Sequence, residues 1–130
     1  MSGIGQHGLL DLYGCPSGLL RSEGSLKQAM AEAAAAAGAT ILSAAFHRFG
    51  GHGGITGVLL LAESHISIHT WPEYRFAAAD IFMCGRPDLE EAAGLLERAL
   101  HARSRQWTQT PRGTRCPPPD APDAPGQQTA

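Results

Sequence analysis

The chain has 130 residues, 43% of them hydrophobic and 17% charged, with a formal net charge of −2. That balance supports one domain with a real core and excludes a disordered or strongly self-repelling chain. It also excludes the basic stripe expected of a partner for nucleic acid or an anionic membrane.

The first element, His7 to Tyr13, is apolar-rich, ends at Gly14-Cys15-Pro16, and reads as a strand. A helix follows, with Ser25 as cap, Gln28 completing a capping box, and the alanine run Ala29 to Ala37 as its body. Gly38 fits its left-handed stop. Ala39 to Phe49 reads as a strand that places Ile41, Ala45, His47 and Phe49 on one face by parity. Gly50 to Gly54 leads to the apolar strand Ile55 to Ala62 and not to a helix start. A hairpin connection therefore fits these glycines and a phosphate loop does not.

From His65 to His69 the chain alternates strictly, Ile66 and Ile68 on one side, His65, Ser67 and His69 on the other. Trp71-Pro72-Glu73 interrupts it, and Phe76 to Cys84 resumes as a strand with Phe76, Ala78, Asp80, Phe82 and Cys84 on one face. Pro87 to Glu91 opens a second helix, with Asp88 as cap and Glu91 as its N3 partner. Leu89, Ala92, Ala93, Leu96 and Leu100 form its apolar stripe. Ser104 to Thr110 reads as an edge strand. Five of the nine prolines fall in the last fourteen residues, so residues 1–111 make one domain and 112–130 a flexible Pro-rich tail.

The order β-α-β-β-β-β-α-β points to an α+β two-layer sandwich, a mainly antiparallel sheet with two helices on one face. The other face carries apolar side chains and needs a cover, for which a partner subunit is the natural candidate. The apolar run Val58 to Ala62 is far short of the roughly 20 residues of a membrane span. The first residues lack the charged and apolar regions of a signal peptide. Cys15, Cys84 and Cys116 are odd in number and form no CxxC, so no disulfide scaffold or thiolate zinc site is expected and the cytoplasm is the expected compartment.

The chemistry concentrates between Ala62 and Glu73, where two carboxylates, two serines and two histidines interrupt a core-like strand. A metal held by His65 and His69 is disfavoured, because residues four apart on a strand stand roughly 13 Å apart. A serine hydrolase is disfavoured too. Neither Ser64 nor Ser67 sits in a GxSxG elbow, and Ser64 and His65 point to opposite faces of a strand.

The block Glu63-Ser64-His65-Ile66-Ser67-Ile68-His69-Thr70-Trp71-Pro72-Glu73, with Ala77 to Phe82 and Cys84-Gly85 after it, resembles the short prokaryotic S-adenosylmethionine decarboxylases. Asp11 to Cys15, Gly38 to Thr40 and Ala45 to Phe49 continue the resemblance in one register over residues 4 to 111. It implies a pyruvoyl-dependent carboxy-lyase made as a proenzyme. The chain would cut itself between Glu63 and Ser64 into a β chain, 1–63, and an α chain, 64–130. Ser64 becomes a pyruvoyl group that forms a Schiff base with S-adenosylmethionine and releases CO₂. The product is the aminopropyl donor for spermidine synthesis. No metal and no pyridoxal phosphate is implied.

By the same resemblance, His69 is the base in processing, assisted by a hydroxyl at position 56, where Thr56 replaces the usual serine. Cys84 protonates carbon after CO₂ leaves. Phe49 and His69 stack on the adenine, and Glu73 bonds the ribose hydroxyls. The family works as a homodimer of αβ units with sites at the interface. Because Ser64 and His69 differ in parity, the cleavage point is expected in a turn or bulge. His7, Asp11, His47 and His65 also read as close to the site, with structural roles. Three positions depart from the family pattern: Gln6 where arginine is frequent, Gly8 where a larger apolar residue is usual, and Arg75 where glycine is common. A pyruvoyl-dependent ornithine or arginine decarboxylase is the enzymatic alternative. An unprocessed, non-catalytic binding homologue is the alternative of another class.

Overall fold

In a computed structural model that describes residues 3–127, the chain forms β1 (Gly5–Tyr13), α1 (Ser17–Leu20), α2 (Glu23–Ala36), β2 (Ile41–Arg48), β3 (Ile55–Leu61), β4 (Ser64–Trp71), β5 (Phe76–Cys84), α3 (Glu90–Ala99) and β6 (Ser104–Arg112). A single 3₁₀ turn, Pro72–Tyr74, joins β4 to β5. The strands make one sheet in the order β2-β3-β4-β5-β1-β6, and every neighbouring pair is antiparallel. The meander β2 to β5 is local, whereas β1 is inserted between β5 and β6. The helical connection through α3 has to cross over it. No helix is long and apolar enough to cross a membrane.

Alternation decides which face is covered. Leu10 and Leu12 of β1, Leu59 and Leu61 of β3, Ile66 and Ile68 of β4 and Ile81 of β5 are buried with Leu26 and Met30 of α2 and Leu96 of α3. Thr70 is the one polar side chain in this layer, among the described residues. Its hydroxyl donates to the Leu20 carbonyl and accepts from the Ile55 amide, both at 2.9 Å, which ties α1, β3 and β4 together. The opposite face has no helix over it. Leu9 and Leu60 are half exposed there, beside a graded row of polar and aromatic side chains.

The fold matches the sequence reading, with corrections at element ends. The short helix α1 is additional. The cap of α2 is Ser22, whose hydroxyl accepts from the Ser25 amide at 3.1 Å, so Ser25 is the capped residue and not the cap. Gly38 does end the connection with φ +74°. Helix α3 begins at Glu90 with no side-chain cap. Asp88 lies two residues before that start and accepts from the Glu90 amide at 3.0 Å, and Glu91 is inside the first turn. In β2 the register shifts between Ile41 and Ser43, so Ile41 pairs with Leu61 and leaves the parity class of Ala45, His47 and Phe49. β6 runs to Arg112, paired with Gly5, one residue beyond the expected domain edge. Residues 113–127 hold no helix or strand. The outermost residues of the two expected spans, 1–2 and 128–130, lie outside the described residues.

The departure at position 8 has a packing cause. A Cβ on Gly8 would run into the ring of Trp107, which β6 lays across β1. The indole thus occupies the space a larger residue at 8 would fill. Gly8→Val is expected to lower stability by ~1–3 kcal/mol through overpacking, and Gly8→Val with Trp107→Leu to recover most of it, as read by urea midpoints.

Candidate active site

The tightest turn of the sheet lies between β3 and β4. Leu61 pairs with Ser64, leaving Ala62 and Glu63 as a two-residue loop. Glu63 has φ +62°, a left-handed conformation that costs a non-glycine residue roughly 1–2 kcal/mol. The Glu63–Ser64 peptide bond is therefore the junction between a strained turn residue and the first residue of β4.

The end of β5 lies beside this junction. The Cys84 thiol donates to the Glu63 carbonyl at 2.9 Å, and the Cys84 amide donates to Ser64 Oγ at 3.3 Å. One residue thus polarises the carbonyl and orients the hydroxyl next to it, the two groups an acyl shift onto serine requires. Cys84 is exposed. Cys15, by contrast, is buried, and burial pushes its thiol up to about 11, so it is inert at neutral pH.

A second group of side chains gathers at the opposite end of the same strands. Thr56 pairs with His69 across the β3–β4 ladder, and Thr56 Oγ1 lies 3.0 Å from His69 Nδ1. The Phe49 ring, half exposed, meets His47 edge-on at 4.6 Å between centroids. Trp71 lies beside His69 with centroids 6.3 Å apart. Phe49, Gly54, Trp71 and Glu73 line a shallow cavity of about 230 Å³. Glu73 sits in the 3₁₀ turn, which is closed by Arg75 at φ +52°. That left-handed conformation is a physical reason for glycine at 75.

The expected site residues therefore fall into two sets. Glu63, Ser64 and Cys84 meet at one end; at the other lie the Thr56–His69 pair and, beyond Trp71, Phe49 and Glu73. Ser64 and His69 are five positions apart on β4, roughly 17 Å at strand rise. Within one chain His69 does not reach Ser64.

Between the two ends, the open face holds a hydrogen-bonded cluster whose centre is Asp80. His7 Nε2 is 2.7 Å and His65 Nε2 3.3 Å from Asp80 Oδ2, and the Ser67 hydroxyl donates to Oδ1. Arg112 Nη1 donates to His7 Nδ1 at 3.0 Å. The ligand atoms of His7, His65 and Asp80 lie within 4.8 Å of one another, but the arrangement is not that of a cation site. Arginine is always a donor, so His7 Nδ1 accepts and its Nε2 carries a proton aimed at Asp80, where a metal needs a lone pair. Asp11 is apart from this cluster, accepting from the Tyr13 hydroxyl at 3.5 Å. The sequence reading noted Asp80 only as a face residue. The available signal was a carboxylate amid the apolar run of β5.

Burial acts to raise the Asp80 pKa, but the donors Ser67, His7 and His65 outweigh it and hold the carboxyl below the usual aspartate value. A depressed pKa contributes stability above the unfolded value, which is lost as pH falls through the folded one. The urea midpoint of the wild type is thus expected to fall from about pH 5 to about pH 3 more steeply than that of Asp80→Asn.

Comparison with known proteins bears on the whole chain. The family model described as S-adenosylmethionine decarboxylase matches residues 6–113. An S-adenosylmethionine decarboxylase proenzyme of Prochlorococcus marinus is 46% identical over 102 residues, 78% of this chain and 81% of the relative. That of Acetivibrio thermocellus is 37% identical over 114 residues, 87% of this chain and 91% of the relative. The crystal structure of the adenosylmethionine decarboxylase from Aquifex aeolicus superposes with a TM-score of 0.78 at 32% identity, covering 87% of this chain and 93% of that one.

Proposed function

The chain belongs to the S-adenosylmethionine decarboxylase family, and we propose that it is a self-cutting proenzyme whose Glu63–Ser64 bond is the cleavage point. It decarboxylates S-adenosylmethionine, with the decarboxylated product serving as aminopropyl donor in spermidine synthesis. The observation that carries the reading is the Glu63 carbonyl held by the Cys84 thiol across a left-handed turn, with Ser64 Oγ fixed by the Cys84 amide.

In the cut, Ser64 Oγ attacks the Glu63 carbonyl carbon. The C–O bond forms, the C–N bond breaks, and the freed nitrogen takes up a proton. Removal of the Ser64 α-proton expels the Glu63 carboxylate, and water then releases ammonia, leaving a pyruvoyl group at residue 64. The residues present suit that group, since Ser64 is its source and Cys84 already faces it. Once formed from Ser64, it would supply a ketone for the substrate amine and a sink for the electrons left by CO₂. Cys84 is placed to return a proton to carbon. Phe49 and His69 stack on the adenine, and Glu73 accepts hydrogen bonds from the ribose.

His69 serves as base for the Ser64 α-proton, held through Nδ1 by Thr56. The separation of the two sets supports its coming from a second copy. Two chains stacked by their open faces about a two-fold axis, with β4 antiparallel to its mate, bring each Ser64 end over the partner's His69 end. The same contact covers Leu9, Leu60 and the aromatic row, supporting a homodimer of αβ units. Residues 1–111 form the decarboxylase domain, β6 adding Arg112, and 112–130 form a tail. The three cysteines lack disulfide partners, which supports residence in the cytoplasm.

Intact mass under denaturing conditions is expected to show chains 1–63 and 64–130, the latter with a blocked terminus. CO₂ release from S-adenosylmethionine, ornithine and arginine, measured side by side, is expected to give the highest kcat/KM for the first. A higher value for ornithine or arginine overturns the substrate, and a chain that never splits overturns the mechanism.

A further inference from the structure

We propose that His65, anchored by Asp80, is a positioning residue that pins the chain end created at residue 64, an inference resting on the proposed cut between Glu63 and Ser64. Before cleavage, Ser64 is fixed from both sides, by the two-residue turn and by the β4 ladder. Cleavage removes the turn and leaves residue 64 as a terminus, where strands fray unless tied down. The reactive group then stands on the least restrained residue of the sheet.

His65 is the first residue after the break with a side-chain anchor. Its Nε2 is 3.3 Å from Asp80 Oδ2, and its ring lies stacked beside Phe82, with centroids 6.0 Å apart and planes at 19°. Asp80 is a firm anchor, because His7 holds the same oxygen at 2.7 Å and Ser67 holds the other. His7 is held in turn by Arg112. Side chains from β1 and β4 thus converge on the Asp80 carboxylate of β5, with Arg112 of β6 behind His7, and His65 links that cluster to the residue beside the cleavage point. The Cys84 contacts to Glu63 and Ser64 are separate from it, so the cluster can steady the new terminus without entering the cut. A displacement of about 1 Å at a reacting group costs on the order of 10²-fold in rate, which gives such an anchor its value.

The test compares wild type, His65→Leu, His65→Gln and Asp80→Asn as full chains. Readouts are intact mass for cutting, kcat and KM for turnover, and hydrogen exchange of the amides of residues 64–71. All four are expected to cut. His65→Leu and Asp80→Asn are expected to lose at least about tenfold in kcat with KM changed less than about threefold, and to exchange these amides faster. His65→Gln keeps a side-chain N–H donor at similar reach and is expected to restore most of both properties. Wild-type kcat and exchange in His65→Leu, a loss confined to KM, or a glutamine variant no better than leucine overturns the proposal. An uncut His65→Leu also overturns it, since His65 then acts in the cutting step. An uncut wild type overturns instead the Glu63–Ser64 reading, and intact mass reveals that before any kinetics.

Discussion

Ser64→Ala is expected to remain one chain of 130 residues and to lose decarboxylation altogether, by a factor of roughly 10⁶ in kcat/KM. The physical reason is that one atom serves twice. Without Oγ, nothing attacks the Glu63 carbonyl, and without the attack no ketone forms. The fold should survive, because among the described residues the hydrogen bond of Ser64 Oγ is a single one, from the Cys84 amide at 3.3 Å. Cys84→Ala separates the two uses. It keeps the backbone amide that orients Ser64, so it should still cut, more slowly for want of the thiol on the Glu63 carbonyl. It should then decarboxylate about 10²–10⁴-fold less well, as expected when a proton donor is lost. Denaturing mass spectrometry and CO₂ release distinguish the pair. A Ser64→Ala chain that splits between 63 and 64 contradicts the assignment, and an uncut Cys84→Ala moves the thiol's main role to processing.

Mixing two crippled subunits is expected to restore activity. Cys84→Ala damages the set at one end of the sheet, and Glu73→Ala damages the set at the other. If each site takes one set from each copy, a mixed dimer has one site with both defects and one with neither. Each mixed dimer keeps one intact site of two, so mixed dimers isolated through both tags are expected to regain roughly half of wild-type activity from parents that are each nearly inactive. Sites contained within single chains give no such gain. Co-expression with two affinity tags, tandem purification and CO₂ release make the measurement. Activity no higher than the mean of the two parents excludes the shared site. The effect is large because the separation is large. Thr56 pairs with His69 at one end of the β3–β4 ladder and Leu61 with Ser64 at the other.

Much of this was legible in the residues alone. Strict alternation from His65 to His69 assigned each side chain of β4 to its face, because strand parity is a local property. The apolar stripe of α3 and the left-handed Gly38 were legible for the same reason. Ser64 and His69 differ in parity, and a turn does precede Ser64, with Glu63 at φ +62°, yet it leaves His69 at the far end of β4. Element ends were less legible. Ser22 and Ser25 are both competent caps, and only the chain's path through α1 selects Ser22. The bulge that moves Ile41 out of its parity class leaves no mark in composition.

What the sequence by itself determined is the set of groups available: serines, a thiol, histidines, aromatic rings and carboxylates gathered in and around one strand. It also determined the alternation that leaves one sheet face without a cover. Only the tertiary structure decided which of these groups meet. Insertion of β1 between β5 and β6 brings His7 to Asp80 and Arg112 to His7. The β4–β5 register carries Cys84 to Glu63, 21 positions away in sequence. The extended run of β4 keeps His69 from Ser64, though the two are only five positions apart. An extended strand holds near neighbours in sequence far apart in space, while hydrogen-bonded pairing between strands brings distant ones together.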